Sequence, residues 1–376
     1  MTPEVAMLIY DGLALIVLVV TLLPELDVTW WWVRAMDVPR VQIALVAFGL
    51  LAISPLFPDW PLLGMIAAGA ALLWQAWKVH PYTPLKAKEV QLAQTGEDEV
   101  KFLAWNVLME NSDYQQARDL IDRESPDAIL LMETDQSWLE ALEPVLDQYE
   151  TVVRHPKDNY YGLIFATRLP VREARVVYLT EDDTPTLFAH LETLEGTEFR
   201  FVGLHPRPPL PGTNSDFRDR QMLYAARFAR KSTLPIVAMG DYNAAAWSRA
   251  SRHFKQVGEF LDPRVGRGLK ASFDARSRLL RCPIDQLYIT PDIAVTGFHR
   301  GPHIGSDHFP MFATIRLDAR LAARLNRAPP QMDHTTRAAL AAALADYHEW
   351  LAERHAETGV DEMFRPPPLT RDNDAG

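Results

Sequence analysis

Between Val41 and Trp77 the chain carries one charged residue, Asp59, and a stretch so poor in charge lacks the polar face of a helix on a soluble domain. Crossing the hydrocarbon core of a bilayer takes about 20 mostly apolar residues in a helix. The first 77 residues offer three such runs: Val5–Leu23, with Asp11 its only charge, Val41–Phe57 and Pro61–Trp77. Pro58, Asp59 and Trp60 suit the turn of a helical hairpin between the last two. A secretory signal is the alternative for the first run, but signals begin with positive charge and no Lys or Arg precedes Arg34. Burial in a core is the other alternative. Trp30, Trp31 and Trp32, followed by Arg34 and Arg40, read as interfacial anchors. Basic residues follow the first run (Arg34, Arg40) and the third (Lys78, Lys86, Lys88), with none at the N-terminus or in the hairpin turn. The positive-inside rule then places the C-terminal region in the cytoplasm. If the first run lay in the interface instead of crossing, the remaining hairpin would put both its ends on one side.

The 376 residues hold 38 Lys+Arg against 49 Asp+Glu, and the excess of acid persists beyond the apolar region. No basic run stands out, which disfavours tight nonspecific binding of a polyanion, since that affinity grows with Lys and Arg contacts to phosphate. Acidity also serves solubility alone. One cysteine, Cys282, excludes an internal disulfide and says nothing of compartment.

From Glu97 the chain alternates strands and helices. Strands are expected at Val100–Val107, Asp127–Met132, Gly162–Thr167, Val171–Leu179, Thr186–Leu194, Phe199–Leu204, Pro235–Met239, Ile284–Thr290 and Phe309–Leu317, and helices at Asp113–Arg123, Ser137–Leu146 and Phe217–Lys231. Several consecutive strands with little helix between them suit two packed sheets with helices outside. The expected fold is therefore an α/β four-layered sandwich preceded by a transmembrane helical region. Its divisions are a membrane region (1–80), a linker (81–98), the sandwich domain (99–318) and a C-terminal helix with a loose tail (319–376). Thr335–His355 is the helix, with Leu340, Leu344, Tyr347 and Leu351 at the spacing of a docking face; Pro366, Pro367, Pro368 and Arg371–Gly376 belong to the tail.

Five apolar strands end in acids, amides or histidine: Trp105-Asn106, Met132-Glu133, Gly203-Leu204-His205, Met239-Gly-Asp241-Tyr-Asn243, and Gly305-Ser-Asp307-His308-Phe-Pro310. A sixth segment sets Asp285 inside an apolar run. Charges there must be paired, hydrogen-bonded or bound to metal. Glu133, Asp241 and Asp307 with the amides of Asn106 and Asn243 supply hard oxygens and no thiolate, which favours Mg²⁺, with Mn²⁺ as the alternative. Water attack on phosphorus is the reaction class that follows. Asp285 suits the Nδ1–H of His308, and His205 suits a phosphate oxygen or the leaving group. Each residue also has a plain structural use: a strand-end cap for Asn106, a helix-start acid for Glu133, an Asx turn for Asp241 and Asn243, a core acid for Asp285. The conjunction of all of them in this order does not.

The ordered set over about Val100–Leu317 resembles the endonuclease/exonuclease/phosphatase superfamily of metal-dependent phosphoesterases. The resemblance implies that Asn106, Glu133 and Asp307 serve the metal, that Asp241 and Asn243 orient water and phosphate, and that His308, paired with Asp285, contacts the scissile phosphate. His205 would match the additional histidine of the phosphatase and nuclease branches, although Pro206 stands where Leu is usual. The apolar region, His205–Gly212 and Arg218–Gln221 are similar to a bacterial membrane-anchored branch, which implies a multi-pass inner-membrane location. Two departures are Asp241-Tyr-Asn243 in place of Asp-Phe-Asn, and Ser272-Phe273 where a Thr-Trp or Thr-Tyr wall pair is usual.

Three functions compete. A phosphatase acting on a membrane or envelope phosphate, such as a lipid-linked diphosphate, would use the anchor to raise effective concentration. A DNA or RNA nuclease suits the resemblance but not the charge balance. A non-catalytic binding module predicts the loss of a site group, and none is lost. Arg207 and Arg218, with Phe273 as wall, are the expected substrate contacts, and Arg220 is a further candidate; as residues at a helix start the arginines equally suit ion pairs. No obligate protein partner is implied.

Overall fold

The computed structural model describes residues 2–57, 59–180, 183–358, 363 and 365–367. The expected tail from Pro368 onward lies outside them, as does Pro58 of the hairpin turn. Four helices open the chain: α1 (Pro3–Leu22), α2 (Trp31–Ala35), α3 (Arg40–Ile53) and α4 (Leu62–Val79). α1 and α4 run parallel and pack directly on each other, and α3 returns antiparallel along the other side of α4. Asp11 pairs with the start of α4, Gln75 with Thr21, and the hydroxyl of Tyr10 with the carbonyl of Leu50. Asp11 Oδ1 accepts the Gly64 N–H at 2.8 Å, one of the donors that a helix start leaves without an internal partner.

Two helical segments, Pro3–Glu25 and Leu62–Tyr82, are long and apolar enough to cross a membrane, and Arg40–Leu56 is shorter. This corrects the expectation of three full-length spans. α3 has 14 residues, roughly 21 Å at helical rise, before Pro55 enters a tight 3₁₀ turn. A second correction concerns the arginines. Trp30 and Trp32 are exposed and stacked at 5.8 Å, but Arg34 and Arg40 are buried. Arg34 donates to the carbonyls of Pro24, Leu26 and Val28, which follow the end of α1. Arg40 is held by Asp37 at 2.7 Å and Glu25 at 3.1 Å.

Eleven strands follow: β1 (Glu99–Asn106), β2 (Ala128–Met132), β3 (Thr151–His155), β4 (Leu163–Thr167), β5 (Val171–Tyr178), β6 (Pro185–Glu192), β7 (Glu198–Leu204), β8 (Ile236–Asp241), β9 (Asp285–Ile289), β10 (Ala294–Arg300) and β11 (Met311–Arg316). They form a six-stranded sheet ordered β10-β11-β1-β2-β4-β3 and a five-stranded sheet ordered β5-β6-β7-β8-β9. Side chains alternate across each strand. Phe102 and Ala104 of β1, Leu130 and Met132 of β2, Phe199 and Phe201 of β7, Val237 and Met239 of β8 and Leu287 of β9 meet in the core between the sheets. The intervening residues face helices. Leu103, Trp105, Ile129 and Leu131 pack on α5 (Tyr114–Glu124) and α6 (Gln136–Leu146). Val202, Leu204, Ile236 and Ala238 pack on α7 (Asp216–Lys231) and α8 (Arg249–Val257). The result is the expected sandwich of two mixed sheets between helical layers.

Sequence reading missed β3 and β10, which are the edges of the larger sheet and only partly buried, so neither shows a continuous apolar run. It also missed α8, whose buried side includes Ser251 and His253, and α9 (Ala319–Leu325). The last helix, α10 (His334–Thr358), rests Tyr347, Leu340, Leu344 and Leu351 on the core beneath α7 and α8.

Residues 81–98 are pinned at their start and in their middle. The Tyr82 hydroxyl donates to the Ala246 carbonyl at 2.7 Å, and Glu89 pairs with Lys255. Arg264 lies between Tyr82 and Tyr288 and meets Asp262 at 2.7 Å, with both side chains fully buried. Removing one member of such a pair strands the other in low dielectric, at a cost of about 3–5 kcal/mol. Arg264→Met should therefore lower the denaturation midpoint of the full chain in detergent markedly. An unchanged midpoint would show that Asp262 finds another partner.

Candidate active site

The inward-facing positions of four strands continue past the core into polar residues. Asn106 follows Phe102 and Ala104, His205 follows Phe199 and Phe201, Asp241 follows Val237 and Met239, and Asp285 precedes Leu287 and Ile289. The period of two that aims the apolar residues between the sheets thus aims these at one another at the edge of the sandwich. Gly240 lets β8 approach β7 closely: its φ is +147°, and a Cβ there would lie 2.0 Å from the Leu204 carbonyl oxygen. Glu133 leaves the pattern at a positive φ of 60°, which turns its side chain into the same place.

Asn106 Nδ2 donates to Glu133 Oε1 at 2.7 Å and to Asp241 Oδ2 at 3.1 Å. Asp241 Oδ1 accepts the Asn243 N–H at 2.9 Å, the Asx turn that the sequence also allowed, and Oδ2 is left to face the site. His308 Nδ1 lies 2.8 Å from Asp285 Oδ2, and its Nε2 lies 3.5 Å from Asp241 Oδ2. His205 Nε2 is 3.7 Å from Asp241 Oδ2 and 3.8 Å from Glu133 Oε1. Asn106, His205, Asp241, Asp285 and His308 are all buried.

This crowding governs protonation. Burial disfavours charge on His308, but Asp285 and Asp241 overcome it and raise its pKa to about 10, so the ring is a cation at neutral pH. Burial pushes Glu133 up to about 7, helped by Asp241 and opposed by Asn106 and His308. Burial pushes His205 down to about 4, leaving a neutral ring.

A cavity of about 490 Å³ opens on this cluster and is lined by Glu133, His205, Asp241, Asn243, Phe273, Asp307 and His308. Asp285 stands behind His308, and Asn106 lies beneath the two carboxylates it joins. The Phe273 ring lies 4.9 Å from that of His308. Asp307 accepts from Arg276 at 3.3 Å. Asn243 donates Nδ2 to the Pro206 carbonyl at 3.0 Å. Of the expected arginines, Arg218 lines the cavity with its guanidinium on Asp219 and the Asn243 carbonyl. Arg207 lies outside the lining and meets Asp183 at 2.6 Å, and Arg220 pairs with Asp346 of α10.

Sequence reasoning missed two kinds of residue. Ser306 Oγ accepts the His308 N–H at 2.9 Å and donates to the Asn106 carbonyl at 2.7 Å, joining two strand ends; its place before Asp307 was the available signal. Arg34, Ala35, Asp37 and Val38 of the N-terminal region also line the cavity, and no local pattern announces that.

The residues fit a hard divalent cation. Asp241, Asp285 and His308 offer donor atoms within 4.8 Å of one another, but Asp285 and His308 are committed to each other. Glu133 and Asp241, joined by one amide, are the freer oxygen donors. A half-turn of the Asn106 amide presents Oδ1 to the same point in exchange for the Leu108 N–H it now accepts. A cation there would also favour the charged form of Glu133, which burial, helped by Asp241, now disfavours. Mn²⁺ at a hundredfold excess over Kd should stabilise the full chain by about 2.7 kcal/mol, seen as a raised melting midpoint. Glu133→Gln should lose most of that shift, and an undiminished shift would remove Glu133 from the cation site.

The sequence profile of the Endonuclease/Exonuclease/phosphatase family matches residues 103–308. Among solved structures, D. rerio TDP2 complexed with single strand DNA product is similar at 14% identity and a TM-score of 0.50, over 58% of this chain and 100% of that one. An endonuclease/exonuclease/phosphatase from Bacteroides vulgatus is similar at 17% identity and a TM-score of 0.49, over 58% and 99%. The Bacteroides thetaiotaomicron mannosyl-6-phosphatase Bt3783 reaches 17% identity and a TM-score of 0.45, over 57% and 99%. At 14% identity the likeness to TDP2 concerns the fold alone. Among curated proteins no sequence matches the chain.

Proposed function

The chain belongs to the Endonuclease/Exonuclease/phosphatase family, and from that premise we propose that it is a divalent-metal-dependent phosphoesterase whose substrate is a phosphate ester or diphosphate at a membrane surface. The observation that carries the reading is the buried constellation in which Asn106 joins Glu133 to Asp241 beside the Asp285–His308 pair. In this reading Glu133 and Asp241, with Asn106 and Asp307 in support, hold Mg²⁺ or Mn²⁺. When bound, the cation offsets charge on the phosphoryl oxygens and makes water a better nucleophile.

The chain's own groups supply the rest. Asp285 holds the Nδ1 proton of His308, so Nε2 carries its proton toward the cavity and donates it to a phosphoryl oxygen as negative charge grows there. Asp241 Oδ2, beside that proton, orients the attacking water, and the Asx turn at Asn243 keeps its other oxygen occupied. Neutral His205 supplies a hydrogen bond to the phosphate or its leaving group.

The two long apolar helices support a membrane anchor, and Lys78 in the last turn of α4, with Lys86 and Lys88 after it, favours the cytoplasmic face for residues 99–318. A nuclease is the second reading. Against it, among the described cavity-lining residues only Arg34 and Arg218 are arginine or lysine, and both guanidinium groups are already engaged by the chain.

His308→Gln should lower metal-dependent phosphate release from a polyprenyl diphosphate in micelles about 10²- to 10⁴-fold, the range for a lost acid–base group, while the Mn²⁺ melting shift persists. Unreduced turnover would overturn the assignment of His308.

A further inference from the structure

The cavity has a wall that residues 103–308 alone do not supply. Ala35 and Val38 line it from the segment between α1 and α3, and Pro208, Pro209 and Leu210 add further apolar lining. That wall is firmly built. The Trp247 indole N–H donates to the Asp37 carbonyl at 2.6 Å, Asp37 holds Arg40 at 2.7 Å, and Val38 packs in one cluster with Trp247, Ile284 and Phe273. The segment's one cation at the cavity, Arg34, spends its guanidinium on the carbonyls of residues 24, 26 and 28. The wall therefore presents carbon to a ligand, and the Asp37 carboxylate is spent on Arg40 and Arg34.

We propose that this wall is an apolar subsite, and that it takes the hydrocarbon group of an amphiphilic phosphoester whose phosphate sits at Glu133, Asp241 and His308. The inference rests on the phosphoesterase reading and adds the class of substrate. Two further observations point the same way. Leu210, a lining residue, is 53% exposed at the rim. The loop carrying exposed Leu279 and Leu280 is tied to α3 by Gln42, whose Nε2 donates to the Leu279 carbonyl at 2.6 Å. Together with the exposed stack of Trp30 on Trp32 and the outward apolar faces of α1, α3 and α4, these residues set the seam between the helices and the sandwich at the depth where lipid chains meet head groups. A chain emerging from a bilayer reaches the subsite without crossing water. The N-terminal helices are thus part of the active site as well as its anchor.

The test compares methyl and n-octyl esters, offered both as phosphate monoesters and as p-nitrophenyl phosphodiesters, with the detergent-solubilised full chain and Mn²⁺. Sheltering one methylene is worth about fourfold in affinity, so octyl esters should exceed methyl esters in kcat/KM by at least tenfold. Ala35→Trp, which fills the subsite, should reduce that ratio at least tenfold. Leu210→Ser, at an exposed position, should reduce it in the same direction even if Ala35→Trp fails to fold. Partition into micelles is the same for all three proteins and cannot produce such a change. Equal rates on methyl and octyl esters, or a ratio that neither variant moves, would overturn the apolar subsite and leave the phosphoesterase reading standing. Faster cleavage of DNA than of any octyl ester would also overturn it, in favour of a polyanion. No release from any ester or from DNA would overturn the phosphoesterase reading itself.

Discussion

Four buried strand-end groups, Asn106, Asp241, Asp285 and His308, sit where a sandwich of this size would otherwise place hydrocarbon. They are tolerable there because they answer one another. Asn106 bridges two carboxylates, Asp285 and Asp241 hold His308 as a cation, and Ser306 and Ser272 tie the backbone of the segments that carry them. Carboxylates still outnumber cations there, and burial, with Asp241 beside it, pushes Glu133 up to about 7. A polar cluster left short of one positive charge makes a cation site, and the geometry that is costly for folding is the geometry the chemistry requires.

The same logic recurs at the junction with the N-terminal helices. Arg34, Asp37 and Arg40 are buried where α1 and α3 meet the sandwich, and each is satisfied by carbonyls or by an opposite charge. Their directional bonds fix the segment that walls the cavity, and Trp247 locks that segment to the loop after β8. Nonpolar packing alone would permit the helices to slide; this network allows one seating. Because Val38, Trp247, Ile284 and Phe273 share one cluster, the seating reaches the ring beside His308.

Much of this was legible in the chain. Apolar runs in Val100–Val107 and in the strand before Asp241 marked the sheets, and the polar residues closing those strands marked the site. Edge strands β3 and β10 were not legible, because a half-buried strand has no unbroken apolar run. α8 was hidden by its polar buried face. The three apolar runs were visible, but not that α3 stops after 14 residues, because helix length depends on where Pro55 ends the turn. Arg207 and Arg218 shared the same local promise, and only their neighbours separated them: Asp183 holds one away from the cavity, while Asn243 and Asp219 keep the other at its edge.

By itself, then, the sequence determined which residues are apolar, at what period, and which polar groups end each strand. Those are local properties, carried by hydropathy and by side-chain chemistry. Which strand ends converge, whether a guanidinium is spent or available, and that Ala35 and Val38 wall a cavity built mainly by residues more than 70 positions later were decided by tertiary structure. Such outcomes depend on pairings across long separations, where burial and a specific partner set each group's charge and reach.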